Sequence, residues 1–96
     1  NAVTDDEALE FKSEIEDEPF KDDRLDKAQR LAKDRCFQSR HVITVMSAMQ
    51  FESNKLEIAK FLYLKTEDQQ NYEDVVDALT YGSSKDELRD YIDAMS

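Results

Sequence analysis

Glycine and proline each occur once in the 96 residues, as Gly82 and Pro19. A β-protein of this length needs more turn formers than that. A bundle of short helices joined by polar caps does not. Cysteine also occurs once, as Cys36. That excludes an internal disulfide and a zinc site built on cysteines. At helical spacing a lone cysteine reads as a small core residue. With a single glycine there is no glycine-rich loop to cradle a phosphate. No run approaches the ~18 apolar residues of a membrane span. The first residues are acidic and carry no signal-peptide pattern. Because the chain opens on Asn1, we read it as a processed or excised piece of a longer protein.

Bases are scarce relative to acids, 13 against 23, for a net charge of −10. Such a chain is repelled by phosphate backbones and anionic membrane surfaces, so neither nucleic acid nor membrane insertion is expected. The charge falls in blocks. Residues 1–26 carry 11 acids and 3 bases, residues 27–65 carry 3 acids and 8 bases, and residues 66–96 carry 9 acids and 2 bases. The plain reading is that unlike blocks lie side by side in the fold. The basic middle could also meet an acidic protein.

What is present is a good supply of core formers, 40% hydrophobic with nine aromatic side chains, which argues against disorder. A chain of this size buries about 60–70% of its unfolded surface. That supports one modest core, with no room for a deep catalytic cavity.

Six helices are expected. The first runs from about Asp5 to Asp17, opened by a capping box of Thr4 with Glu7 and closed by Pro19. The second runs from about Arg24 to Cys36. The third follows Ser39, with Val42, Val45, Met46 and Met49 on one face. The fourth, Lys55 to about Lys65, is apolar around much of its circumference and should be the most buried. Thr66 with Gln69 is expected to cap the fifth, which carries Tyr72, Val75, Val76 and Leu79. Gly82 fits a turn, and Ser84 with Glu87 is expected to cap the sixth.

A repeat underlies these helices. Phe20, Asp23, Arg24 and Asp26 match Phe51, Asn54, Lys55 and Glu57 at an offset of 31, and these match Tyr81, Ser84, Lys85 and Glu87 at an offset of 30. The register continues inside the helices, where Phe61 and Leu62 correspond to Tyr91 and Ile92. The expected fold is all-α: stacked helix-turn-helix repeats of about 31 residues in one compact bundle. Residues 1–96 form one domain, with an N-terminal capping helix over 1–19, repeats over 20–50 and 51–80, and a half-repeat over 81–96. A six-helix death-domain-like bundle has a similar size but leaves the repeat unexplained.

The run Phe51–Tyr63 (FESNKLEIAKFLY), the pairs Asn71-Tyr72 and Val75-Val76, and the run Ser83–Ile92 (SSKDELRDYI) resemble the family called domain of unknown function 4476. The resemblance extends from about Phe11 to Ile92. It implies a helical, repeated domain, commonly near the C-terminus of exported bacterial proteins, and hence a periplasmic, cell-surface or secreted setting. It lends no catalytic residues and no activity.

Candidate chemistry is thin. His41 is the only histidine, and nothing near it in sequence supplies the carboxylate or nucleophile that acid–base work needs. A dyad of Cys36 with His41 has no cysteine-hydrolase motif around it. The acids Glu16, Asp17, Glu18, Asp22 and Asp23 lack the order and the central glycine of a calcium loop. We therefore expect no catalytic residue, no metal site and no cofactor. The odd feature is a repeated base, Arg24, Lys55 and Lys85, placed early in a helix where the dipole disfavours positive charge. Each either bridges to an acid in an adjacent unit, lays its stem over the core, or belongs to a basic row that contacts an acidic partner. Phe20, Phe51 and Tyr81 read as anchors of the turns between repeats. The expected role is a non-catalytic protein-interaction or structural module. The alternative is a small-ligand or ion carrier using a groove between helix pairs.

Overall fold

The computed structural model describes all 96 residues. It places six α-helices in order: α1 (Asp5–Glu16), α2 (Lys21–Ala32), α3 (Ser39–Met46), α4 (Glu52–Tyr63), α5 (Glu73–Asp77) and α6 (Gly82–Met95). A single 3-10 turn over Gln69–Asn71 leads into α5. There are no strands. The odd-numbered helices form one row, α1 on α3 and α3 on α5, and the even-numbered helices form another, α2 on α4 and α4 on α6. Hairpin contacts of α1 with α2, α3 with α4, and α5 with α6 join the rows. The shortest dimension, 17 Å, is that of two layers of helices.

The core lies between the rows. Ile15, Val42, Met46, Ile58, Leu62, Val75, Val76 and Leu88 are fully buried, and each contributes about 1.5–3 kcal/mol by leaving water. α4 gives the core more side chains than any other helix, Leu56, Ile58, Ala59, Leu62 and Tyr63, although the shorter α3 is buried over a larger share of its length. Its neighbours are α2, α3 and α6. Tyr72 is buried against Tyr63 in an edge-to-face pair and donates its hydroxyl to the Ala59 carbonyl at 2.5 Å. Burial pushes its phenol well above the ordinary value.

At one end, extended segments before α1, before α3 and before the 3-10 turn run side by side, with parallel bridges of Ala2 to Cys36 and Phe37 to Thr66. Val3 donates to the Cys36 carbonyl at 2.8 Å, and Phe37 to the Lys65 carbonyl at 2.8 Å. This ends α2 at Ala32 rather than at Cys36. The Cys36 backbone pairs with the N-terminal segment and cannot continue a helix.

The Thr4–Glu7 capping box forms as expected. The other helix starts differ. α2, α4 and α6 each begin one turn earlier than the polar caps imply, at Lys21, Glu52 and Gly82. Asp23, Asn54 and Ser84 are therefore third residues of their helices. The capping side chains have other work: Asn54 donates to the Lys21 carbonyl at 3.0 Å, linking α4 to α2. Gly82 starts α6 with ordinary backbone angles, and a side chain there would meet nothing. Thr66 does not cap α5. Its hydroxyl turns back to the Leu62 carbonyl at 2.7 Å, and Gln69 donates to Tyr63.

Candidate partner-binding surface

The N-cap residues of the even-numbered helices are Phe20, Phe51 and Tyr81, all extended, with φ of −105°, −114° and −98°. Each carbonyl accepts the first helical hydrogen bond, from Arg24, Lys55 and Lys85 respectively. None of the three side chains caps its helix. This is where serine, threonine, aspartate or asparagine ordinarily satisfies the first-turn N–H groups. An aromatic ring forgoes that gain. The rings, read from sequence as anchors of the turns between repeats, are exposed: Phe20 is 69% exposed, Phe51 49% and Tyr81 61%. Because α2, α4 and α6 pack in a row, the three rings stand along one edge. The contacts between successive helix starts fix their order. Lys21 lies over the Phe51 ring at 5.1 Å, and Glu52 accepts the backbone N–H of Tyr81 at 2.9 Å.

One turn into each helix stand the repeated bases, all half-buried. Arg24 directs its guanidinium to three backbone carbonyls: Nε to Glu18 at 2.8 Å, Nη1 to Ala48 at 2.8 Å and Nη2 to Glu16 at 3.2 Å. These carbonyls belong to the end of α1, the turn after it and the turn after α3. Two negative dipole ends of the odd row thus offset the unfavourable end of α2. Lys55 occupies the corresponding place. It lies with Ile43, Met46, Ser47 and Ala78 around a cleft of about 110 Å³. Ala78 is the counterpart of Ala48. Lys55 makes no ion pair within 4.0 Å, and neither does Lys85. Lys85 contributes only a general attraction that helps lower the Glu73 carboxyl. The three bases therefore share a register without sharing a contact.

Glu52 makes the opposite link. Its carboxylate accepts the N–H groups of Thr80 and Tyr81, both at 2.9 Å. Burial raises its pKa, but these hydrogen bonds prevail and hold it below the ordinary value. At the other end of the molecule Arg35 forks onto both oxygens of Glu7 at 2.9 Å and holds that carboxyl low.

The carboxylate partner of His41 lies far away in sequence. Asp5, 36 residues earlier, sits 2.6 Å from Nε2. Nδ1 accepts the Gln38 backbone N–H at 3.3 Å, which assigns the ring proton to Nε2 as the donor to Asp5. Hydrogen bonds from His41 and Arg40 hold the Asp5 carboxyl below its ordinary value. His41 is buried with both ring nitrogens hydrogen-bonded within the fold. No three ligating side chains converge anywhere in the fold, and no helix is long and apolar enough to cross a membrane.

Two features escape sequence reasoning. The exposure of the aromatic edge depends on where the helices start, and the Asp5–His41 pair depends on how α1 stacks on α3. The 31-residue register located the edge residues but not their exposure.

No curated protein matches the chain, and no solved structure does. A family model described as Domain of unknown function (DUF4476) matches residues 2–92. That span takes in all six helices almost to the end of α6, and the chain belongs to this family.

Proposed function

We propose that this domain is a non-catalytic protein-interaction module that docks another protein on the edge formed by Phe20, Phe51 and Tyr81. The observation that carries the reading is the exposure of these rings at three equivalent helix starts. They give up a capping hydrogen bond and leave about half or more of their surface in water. Contact with a partner would bury them, at about 1.5–3 kcal/mol each. Exposed aromatic side chains repeated in one register suit an interaction site. Stacked hairpins supply the rigid backing that repeat domains use for binding. Lys21, over the Phe51 ring, supplies positive charge on this edge. The acidic surface elsewhere disfavours nucleic acid as the partner.

The test is affinity capture from the native host with the wild-type domain and with a Phe51→Ser, Tyr81→Ser double variant. The reading expects a saturable prey that the variant loses while its melting midpoint is retained. Equal capture by both proteins contradicts the docking edge.

A further inference from the structure

An open groove of about 760 Å³ runs along α2, lined by Glu18, Asp23, Asp26, Gln29, Arg30 and Lys33, with Phe61 of α4 closing one side. Its lining starts at Glu18 and Asp23, which flank Phe20 in sequence. Its two ends carry opposite charge. The acids lie toward the start of α2 and the bases toward its end. None of these five charged side chains forms an ion pair within 4.0 Å. Lys65 lies over Phe61 at 5.5 Å, but its ammonium is tied to the Lys33 carbonyl and pairs with neither Asp23 nor Asp26.

The next seam of the same repeat shows what such a place accepts. Between α4 and α6 the ammonium of Lys60 sits 2.5 Å from Glu87 and 4.0 Å from Glu57, and 5.8 Å from the centre of the Tyr91 ring. In the 31-residue register Lys60 corresponds to Gln29 and Glu57 to Asp26. Tyr91 corresponds to Phe61 at the 30-residue offset. The α2 groove thus keeps the ring and the more distant acid of the Lys60 site, as Phe61 and Asp26, adds Asp23, lacks a counterpart of Glu87 in its lining, and has a neutral amide where the lysine belongs.

We infer that this groove receives a lysine side chain from an extended segment of the partner protein, with an acidic residue of that segment against Arg30 and Lys33. The inference rests on the protein-interaction reading above. Charge complementarity selects the occupant: an ammonium is attracted both by Asp23 and Asp26 and by the face of Phe61. Asp26 and Lys33 are about 10 Å apart along the helix at ~1.5 Å per residue. An extended segment rises ~3.3 Å per residue, so its lysine and its acid lie about three positions apart.

The test is an NMR titration of the domain with an end-capped Lys-Ser-Ser-Glu peptide into the ~10 mM range, where weak contacts of single side chains are measurable. The expected result is saturable shifts at Asp26, Gln29 and Phe61. Norleucine in place of the peptide lysine should weaken binding at least about tenfold. Gln29→Lys should abolish the shifts by supplying the ammonium internally, with the fold checked by its melting midpoint. Lys60→Gln should open a second site at Glu57, Glu87 and Tyr91. Absence of shifts, equal shifts in Gln29→Lys, or equal binding of free lysine would overturn the inference. If the peptide fails while capture by the aromatic edge succeeds, this groove assignment falls and the docking reading stands. If capture fails as well, both fall.

Discussion

Arg24 in α2 and Ala48 in the turn after α3 are joined at 2.8 Å, guanidinium to carbonyl, across two successive hairpins. The same guanidinium holds Glu16 and Glu18 at the end of α1. One side chain therefore fixes both the turn of its own hairpin and the seat of the next. This explains a positive charge early in a helix whose own dipole opposes it.

Replacing Arg24 by alanine should destabilise the domain by about 1.5–3 kcal/mol, the scale of hydrogen bonds made by a charged group. Arg24→Lys should lose less, because it keeps the charge but not the planar fork. Urea denaturation followed by circular dichroism measures both. A loss below ~0.5 kcal/mol for Arg24→Ala would mean that water replaces the three contacts.

Leu62 is fully buried at the centre of α4. Leu62→Ala should cost about 2–5 kcal/mol, because the cavity it leaves is bounded by three neighbouring helices and cannot collapse readily. The same denaturation experiment reads it, as a shift in midpoint with an unchanged slope.

Acid should weaken the fold. Asp5, Glu7, Glu52, Asp68 and Glu73 all have carboxyls held below their ordinary values of 3.8 or 4.5. For a lowered group the stabilisation is present above the unfolded value and is lost as pH falls through the folded one. The thermal midpoint should therefore drop between about pH 5 and pH 2.5. Asp5→Asn should make that drop shallower. Scanning calorimetry across this range checks the sign, which is wrong if acid leaves the midpoint unchanged.

The ring of His41 should be the Nε2–H tautomer, because Nδ1 accepts from the Gln38 backbone and Nε2 faces Asp5. Nitrogen-15 correlation of the ring reads this directly. Asp5→Asn should preserve the tautomer if the Gln38 contact governs it. A Nδ1–H ring would contradict the geometry of the α3 start.

Much of this architecture is legible in sequence, and the reason is periodicity. The spacing of Val42, Val45 and Met46, and of Val75 and Val76, marks buried faces of α3 and α5; Met49, Tyr72 and Leu79, read as parts of the same helix faces, are buried too but lie just outside those helices. The shared register of Phe20, Phe51 and Tyr81 also survives, as three equivalent N-caps. The helix starts were illegible because an aromatic N-cap carries no capping signature. The polar residues that looked like caps serve other partners, as Asn54 serves Lys21. Arg24 was visible as an anomaly. Its resolution needs the carbonyl ends of two other helices, which no local pattern encodes. Asp5 and His41 are separated by 36 residues and meet only through stacking of the odd row.

The central claim, a docking edge at the starts of α2, α4 and α6, is tested most directly by site-specific photo-crosslinking in the native host. A benzophenone amino acid replaces Phe51 in one strain and Gln70, exposed on the 3-10 turn, in another. The account predicts a discrete adduct with one protein from position 51 and none from position 70. No adduct from position 51, or the same adducts from both positions, would contradict it.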